Sequence, residues 1–440
     1  MKEANKQFRV IIVGAGFAGI QAAKELSRSS AQVTLIDRKN HHAFQPLLYQ
    51  VAMAGLSPAQ IAVPVRLVLR EAKNVHVLLG EVTAFDLSRK VVRLGELEFE
   101  YDFLIVATGA THTYFGHTEW EDHAPGLKTV EDALEIRRRV LLAFELAERD
   151  ALTTGKHPPL NFVVIGGGPT GVELAGAIAD ISRRVMQREF RAIEPGQSKV
   201  LLLEGGPRIL PTFPPELSIC AEEQLRDLGV EVRTNTFVTD IGPNSVTTPS
   251  GHISASVILW AAGVAASPLG RMLGAPVDRA GRVLVEPNLS LPGHQEVFVA
   301  GDLASVAMDA EGKPATVPGL APAALQMGKF AARQIMRTAA GKPSEEFQYR
   351  HRGNLATIGI SKAVADFGQL RFSGHFAWLT WLCVHLFFLI GFRNRLSVLW
   401  EWAWSYITAN HSARLITHTE QIGKHFSTSR RRVPNVAENP

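Results

Sequence analysis

Gly14, Gly16 and Gly19, and 152 residues later Gly166, Gly168 and Gly171, repeat one spacing, G-x-G-x-x-G. Each copy follows an unbroken apolar run, 10–13 or 162–165, and precedes a stretch rich in helix formers. At that spacing the first glycine permits a tight strand-to-helix turn. The second lets a pyrophosphate approach the backbone, and the third lets the helix pack closely on the strand. The pyrophosphate then meets the unpaired amides and positive dipole end of a helix. Asp37 and Glu204 end the next apolar runs, 32–37 and 199–204. A carboxylate there can bind a ribose 2′-hydroxyl and repel a 2′-phosphate. NADH is therefore expected over NADPH, and two different dinucleotides, FAD and NAD, are the economical reading of two such sites.

The elements that must hold these groups are legible around them. The apolar runs lack polar alternation, as do strands buried on both faces of a parallel sheet. Each turn thus opens a strand–helix–strand unit, and the unit occurs twice. Residues 101–110 and 256–263 resemble each other as buried strands finishing at a glycine-containing crossover. Short alternating strands within 75–94 and 230–246 are expected to fill the rest of each sheet, and Val172–Ile193 to continue the second helix. The strand 296–300 ends in Gly301 and Asp302, and this turn is expected to return to the first sheet, beside a flavin. A helix is expected over 321–337.

With 440 residues, 46% of them hydrophobic and 20% charged, the chain is long enough for two or more cores and too polar for a bundle of membrane spans. Cys220 and Cys383 are the two cysteines and form no C-x-x-C pair, so no zinc set or dithiol centre follows from local motifs and no metal is expected. The formal charge of +4 is uneven. Residues 371–440 hold eight basic side chains (Arg371, Arg393, Arg395, Arg414, Lys424, Arg430, Arg431, Arg432) against Glu401, Glu420 and Glu438, a local +5. With high apolar content in the same region, this predicts a phospholipid bilayer surface as partner and no nucleic acid. The N-terminus has neither the apolar core of a secretory signal nor the length of a transit peptide, so the body is expected in the cytoplasm.

The motifs resemble those of the two-dinucleotide-binding-domain flavoproteins, and within them the type II NADH:quinone oxidoreductases. Beyond the glycine turns, the resemblance rests on residues 41–52 (HHAFQPLLYQVA), 170–176 (TGVELAG), 324–328 (ALQMG) and 353–359 (GNLATIG). It implies an α/β fold of two Rossmann-like dinucleotide-binding domains, glutathione-reductase-like, with a C-terminal helical membrane-anchoring region. The implied domains are 1–115 with 295–350 for FAD, 116–294 for NADH, and 351–440 for the membrane. Implied cofactor contacts are Gly14, Gly16, Phe17, Ala18, Gly19, Asp37, Arg38, Val82, Thr108, Gly109, Gly301 and Asp302 at the first site. At the second they are Gly166, Gly168, Pro169, Thr170, Gly171, Glu204, Ala262 and Gly263. Glu173, near the nicotinamide and flavin, and Gln326, toward the quinone entrance, are the implied catalytic pair. Pro322 stands where the family often carries glutamine, so no quinone hydrogen bond is carried over to it. Relatives that reduce disulfides or sulfide need reactive cysteines near the flavin. The segment 41–52 has none, so the acceptor must take electrons from flavin directly.

The uncharged run 376–392 is shorter than the roughly 20 residues of a membrane span. Arg393, Arg395, Trp400, Trp402, Trp404 and Tyr406 follow, the types that collect at headgroup depth. Trp400 and Trp404 share a helical face with Leu396 and Ile407 nearby, which points to helices lying in one leaflet. His385 is the titratable group of the run, read as structural or interfacial. The expected activity is oxidation of NADH through FAD and reduction of a membrane quinone, without ion pumping, at the cytoplasmic face of the cell membrane. A homodimer is compatible with this. Two rivals share the motifs: a reductase of a soluble electron carrier, and a flavoprotein whose redox state controls binding of a partner.

Overall fold

The computed structural model describes residues 7–306, 317–408 and 410–416. Lys424 and Arg430–Arg432, half of the basic count of the C-terminal region, lie outside the described residues. The chain divides into two compact units.

The first unit comprises Met1–Ala43, Ala62–Thr113 and Val264–Arg352. Its core is a sheet in which Arg9–Val13 lies between Gln32–Asp37 and Phe103–Val106, all parallel, with Val75–Leu79 beyond the former. The strand His294–Val299 joins the far side of Phe103–Val106 in parallel, so the Gly301–Asp302 turn does return to the first sheet. The central strands, Arg9–Val13 and Phe103–Val106, are apolar runs buried on both faces, which explains their lack of alternation. Helix Phe17–Leu26 packs on helix Ala321–Ala339, where a Cβ on Gly328 would lie 2.1 Å from the Ala18 carbonyl oxygen.

The second unit comprises Phe44–Ile61, Tyr114–Gly263 and Gly353–Pro440. A four-stranded parallel sheet is ordered Val230–Arg233, Lys199–Leu203, Asn161–Ile165, Val257–Trp260. Beyond it a small antiparallel sheet, Asn354–Thr357, Ala363–Asp366 and Arg371–Ser373, leads into helices His375–Phe388 and Phe392–Thr408.

Four expectations change. Val75–Leu79 and Val230–Arg233 do extend the two sheets, but Ala84–Glu100 and Asp240–Ser254 fold as separate three-stranded meanders. Their short alternating strands follow hairpin turns, one of them at Gly95 with φ of 58°. The α-helix from the second turn ends at Asp180, and Ile181–Val185 continues as a π-helical turn. Residues 264–294 group with the first unit and 353–440 with the second, because Val283–Val285 pairs with Ala304–Val306 and the small C-terminal sheet packs on helices of the second unit. The apolar run 376–392 is interrupted where Leu389 leaves the helical region and Gly391 takes φ of 92°. The helices on either side, 14 and 17 residues, are about 21 and 26 Å long against a hydrocarbon core of about 30 Å. No helix among the described residues is long and apolar enough to cross a membrane.

Candidate active site

The two glycine turns have the same construction. Gly14 adopts φ of 104° and Gly166 φ of 108°, and a Cβ on either would meet the backbone of the neighbouring crossover, 2.4 Å from Ala107 O or 2.5 Å from Ala261 C. Gly19 and Gly171 let their helices settle onto the turn, each with a virtual Cβ 1.8 Å from the first glycine's carbonyl oxygen. Gly16 and Gly168 face open space, with nothing within 4 Å of a virtual Cβ. Both cap their helices without a side-chain hydrogen bond, so the positive helix end is open toward that space.

The carboxylates are fixed just as symmetrically. Asp37 accepts the Ala15 amide at 2.6 Å and the Lys39 amide at 2.7 Å. Glu204 accepts the Gly167 amide at 2.6 Å and the Gly206 amide at 2.6 Å. Each is thus pinned between the glycine turn and the end of its own strand, with lone pairs left for ribose hydroxyls.

The first turn also carries unsatisfied polar atoms of the kind a dinucleotide would satisfy. His42, 3% exposed, bonds Ala15 O through Nδ1 at 3.0 Å and meets Phe17 edge-on, while its Nε2 has no partner. Burial lowers its pKa, so the ring is held neutral. The buried Thr108 Oγ1 is likewise without a partner, beside Gly14. Buried orphans of this sort are rare in folded chains. Open glycine, helix end, pinned carboxylate, the Nε2 acceptor of His42 and the Thr108 hydroxyl together fit FAD at this turn. His42 belongs to a motif recognised in the sequence, but a lone histidine gave no signal of its position under the turn. Val82 is buried, Arg38 is exposed just past Asp37, and Gly109 takes φ of 67° where the crossover leaves the sheet. Asp302 opens a short helical turn after its strand, close to Gly319.

Gln326 is engaged differently from a side chain reaching into a cleft. Its Nε2 donates to Arg350 O and its Oε1 accepts the Arg350 amide, both at 3.0 Å, so the carboxamide clasps the backbone at the end of the first unit.

In the second unit Pro169 and Thr170 are exposed at the helix start, and Ala262 and Gly263 follow Val257–Trp260. Glu173 lies one turn farther along helix Pro169–Asp180. It accepts the Thr357 amide, and burial lifts its pKa to about 8, so the carboxyl is protonated at neutral pH. Gly176 makes this possible: a Cβ there would come within 2.7 Å of Gly359 N, so the helix rests directly on the 353–359 segment. Tyr49 from helix Leu48–Ala52 is buried near Glu173, and its pKa is raised well above 10 by burial first and by Glu173 second. Gln50 Nε2 donates to Tyr49 Oη at 2.8 Å, and Trp402 Nε1 donates to Gln50 Oε1 at 2.6 Å. Three recognised motifs, 41–52, 170–176 and 353–359, thus meet beside helix Phe392–Thr408.

The first and third of these motifs, through Tyr49, Gln50 and Gly359, border an apolar cavity of about 100 Å³, which Met53, Trp381 and Trp402 also line, with Asp180 at one wall. Asp180 accepts the Ile360 amide at 2.6 Å, and burial raises its pKa to about 6. His385 stacks on Trp381 with centroids 4.1 Å apart and donates Nδ1–H to Trp381 O at 2.6 Å; burial depresses its pKa to about 4, so it is neutral. The sequence places Trp402 among the headgroup-depth aromatics and Tyr49 and Gln50 within the 41–52 motif, but it does not show that they meet, or that Asp180 lies beside them, because that meeting depends on contacts across up to 352 residues of chain.

Residues 8–328 match the family model of the pyridine nucleotide-disulphide oxidoreductases, and residues 351–411 that of the NDH2 C-terminal domain. A type II NADH:quinone oxidoreductase of Mycobacterium tuberculosis, NdhA, is 43% identical over 427 residues, covering 93% of this chain and 89% of that protein. The chain belongs to the type II NADH:quinone oxidoreductase family. A Staphylococcus aureus member is 30% identical, over 82% of this chain and 90% of that one. Among solved structures, NDH2 from Plasmodium falciparum in complex with NADH has a TM-score of 0.83 at 21% identity, covering 94% of this chain and all of that one. The fold reaches beyond the family: a sulfide:quinone oxidoreductase from Aquifex aeolicus has a TM-score of 0.72 at 18% identity, covering 88% and 92%. The fold alone therefore does not choose the electron donor. Cys220 and Cys383 sit on separate helices of the second unit, Pro215–Asp227 and His375–Phe388, and neither is in a disulfide.

Proposed function

We propose that this chain oxidises NADH through FAD and delivers the electrons to a membrane quinone, bound peripherally at the cytoplasmic face of the membrane and moving no ions across it. The observation that carries the reading is the pair of open glycine turns, each with its carboxylate pinned at 2.6 Å, in a chain with an apolar cavity at its C-terminal helices.

In this reading the first turn, with Asp37, Thr108 and His42, holds FAD, and the second, with Glu204, holds NADH. FAD, when bound, supplies a two-electron carrier that takes a hydride from NADH and yields the pair to a quinone. The chain's own residues bind, orient and supply protons. Asp37 and Glu204 accept ribose hydroxyls and fix the sugars. The helix ends at Gly16 and Gly168 neutralise pyrophosphate charge. Glu173 holds a proton on its carboxyl at neutral pH, available for the two that a quinone takes up. Tyr49, kept protonated beside it, orders the neighbouring hydrogen bonds through Gln50. The cavity, walled by Trp378, Trp381 and Trp402, takes the apolar part of the quinone.

The membrane face is supported by exposed apolar side chains on both C-terminal helices. Phe376, Phe387 and Phe392 are 80, 69 and 76% exposed. Leu396, Trp400, Trp404 and Ile407 are exposed along one side of the second helix, with Trp400 stacked on Trp404. A face of this kind at a helix pair too short to span matches insertion into one leaflet. The experiment is NADH oxidation by purified protein with a short-chain quinone, in the presence of anionic lipid vesicles. Turnover that depends on quinone supports the reading; turnover that needs a soluble protein carrier overturns it.

A further inference from the structure

Arg137 is 5% exposed in the middle of helix Val130–Thr154 and has no part in the chemistry above. Its guanidinium donates to three main-chain carbonyls: Nε to Val51 O at 2.8 Å, Nη1 to Ala413 O at 2.9 Å and Nη2 to Leu56 O at 3.0 Å. A buried cation ordinarily meets a carboxylate, but here all three acceptors are backbone. Two of them belong to the turn that ends helix Leu48–Ala52. That turn is strained and tightly wound. Ala54 takes φ of 56°, unfavourable for a residue with a Cβ, and Gln50 O accepts both the Gly55 and the Leu56 amides. The third acceptor lies in the segment after helix Phe392–Thr408, where His411 also bonds Met53 O through Nδ1 at 3.1 Å.

One side chain therefore ties the end of the helix bearing Tyr49 and Gln50 to the segment that follows the membrane-facing helix bearing Trp402. The planar fork of arginine suits this, because its N–H groups point in fixed and different directions. We propose that Arg137 is a positioning residue for the quinone half-reaction: by clasping this turn and the 411–415 segment it holds the Tyr49–Gln50–Trp402 chain in register at the cavity wall. The inference rests on the function proposed above. It gives the two half-reactions different sensitivities to Arg137, since none of the three clasped carbonyls belongs to the NADH turn or to the strand that ends at Glu204.

The test compares Arg137→Lys and Arg137→Gln in the flavin-loaded full-length protein. An ammonium can reach one or two of the three carbonyls, so lysine should rescue in part what glutamine loses. The expected result is a rise of roughly tenfold in KM for a short-chain quinone in the glutamine variant, and a smaller rise with lysine. The rate of flavin reduction by NADH in a rapid-mixing experiment should stay within about twofold of the parent. Amide exchange at Gly55 and Leu56 should accelerate in both variants. If glutamine prevents folding, lysine alone decides. An unchanged quinone KM in a folded lysine variant, or a parallel fall of both half-reactions, overturns the inference. Absence of quinone reduction in the parent protein overturns the functional reading instead.

Discussion

Glu204 accepts the amide of Gly167 at 2.6 Å, the same contact that Asp37 makes with Ala15 in the other unit. In both cases the acid at the end of the second strand of a strand–helix–strand unit reaches back to the glycine turn. In the proposed role the carboxylate is thereby set before a ribose arrives, which reduces the ordering required on binding. Replacing Glu204 with Gln keeps the size and one acceptor oxygen but removes the charge that repels a 2′-phosphate. The ratio of kcat/KM for NADH over NADPH should fall by roughly tenfold or more, equivalent to about 1.4 kcal/mol per decade. An unchanged ratio would remove Glu204 from the ribose site.

Gly16 and Gly168 separate the two cofactors by a simple steric argument. A side chain at either meets no protein atom within 4 Å, so valine there should leave the fold intact while filling the space for a pyrophosphate. Gly16→Val should purify folded and colourless. Gly168→Val should purify yellow, with KM for NADH raised at least about tenfold. Absorbance near the flavin bands together with thermal melting reads both variants. The opposite pattern would exchange the two sites.

Glu173 makes a pH prediction. Burial raises its pKa from the ordinary 4.5 to about 8, so between those values the folded protein binds a proton that the unfolded chain has released. Stability contributed by this proton is present at low pH and is lost progressively as pH rises through that window. Glu173→Gln, which mimics the protonated form, should flatten that slope in denaturant titrations. In the parent, quinone-dependent turnover should decline above about pH 8 as the carboxyl ionises. His385, neutral across this range with its pKa near 4, should contribute no limb between pH 5 and 8, and His385→Asn should retain the profile.

The exposed aromatic face should govern lipid binding and not chemistry. Each aromatic removed from an apolar environment costs about 2 kcal/mol. Trp400→Ala combined with Trp404→Ala should therefore weaken vesicle partitioning at least about tenfold. NADH oxidation with a water-soluble quinone should change little. Equal partitioning of parent and double variant in vesicle co-sedimentation would move the membrane contact elsewhere.

Much of the construction of the two glycine turns was legible in the sequence because its signals are local. Gly14 and Gly166 stand where φ exceeds 100°, Gly19 and Gly171 where a helix touches a turn, and both acids sit at the ends of apolar runs. The return of the Gly301 turn to the first sheet was legible for the same reason. The alternating strands within 84–94 and 240–246 join meanders and not the main sheets, because alternation reports a strand but not its partner. The cavity wall was beyond sequence reasoning. Tyr49, Gln50 and Trp402 carry no spacing signal, and Arg137 among the many arginines looks like any other until its three carbonyl partners are placed. The helix break at Gly391 was similarly hidden inside an apolar run, where one glycine with φ of 92° divides a near-span into two shorter helices.

In the proposed reaction one flavin, loaded from NADH, is emptied directly by quinone with no cysteine between them. Anaerobic addition of one equivalent of NADH should bleach the flavin absorbance, and a subsequent equivalent of short-chain quinone should restore it fully within the turnover time. Bleaching that quinone leaves in place, or that only a soluble carrier protein reverses, would contradict the account.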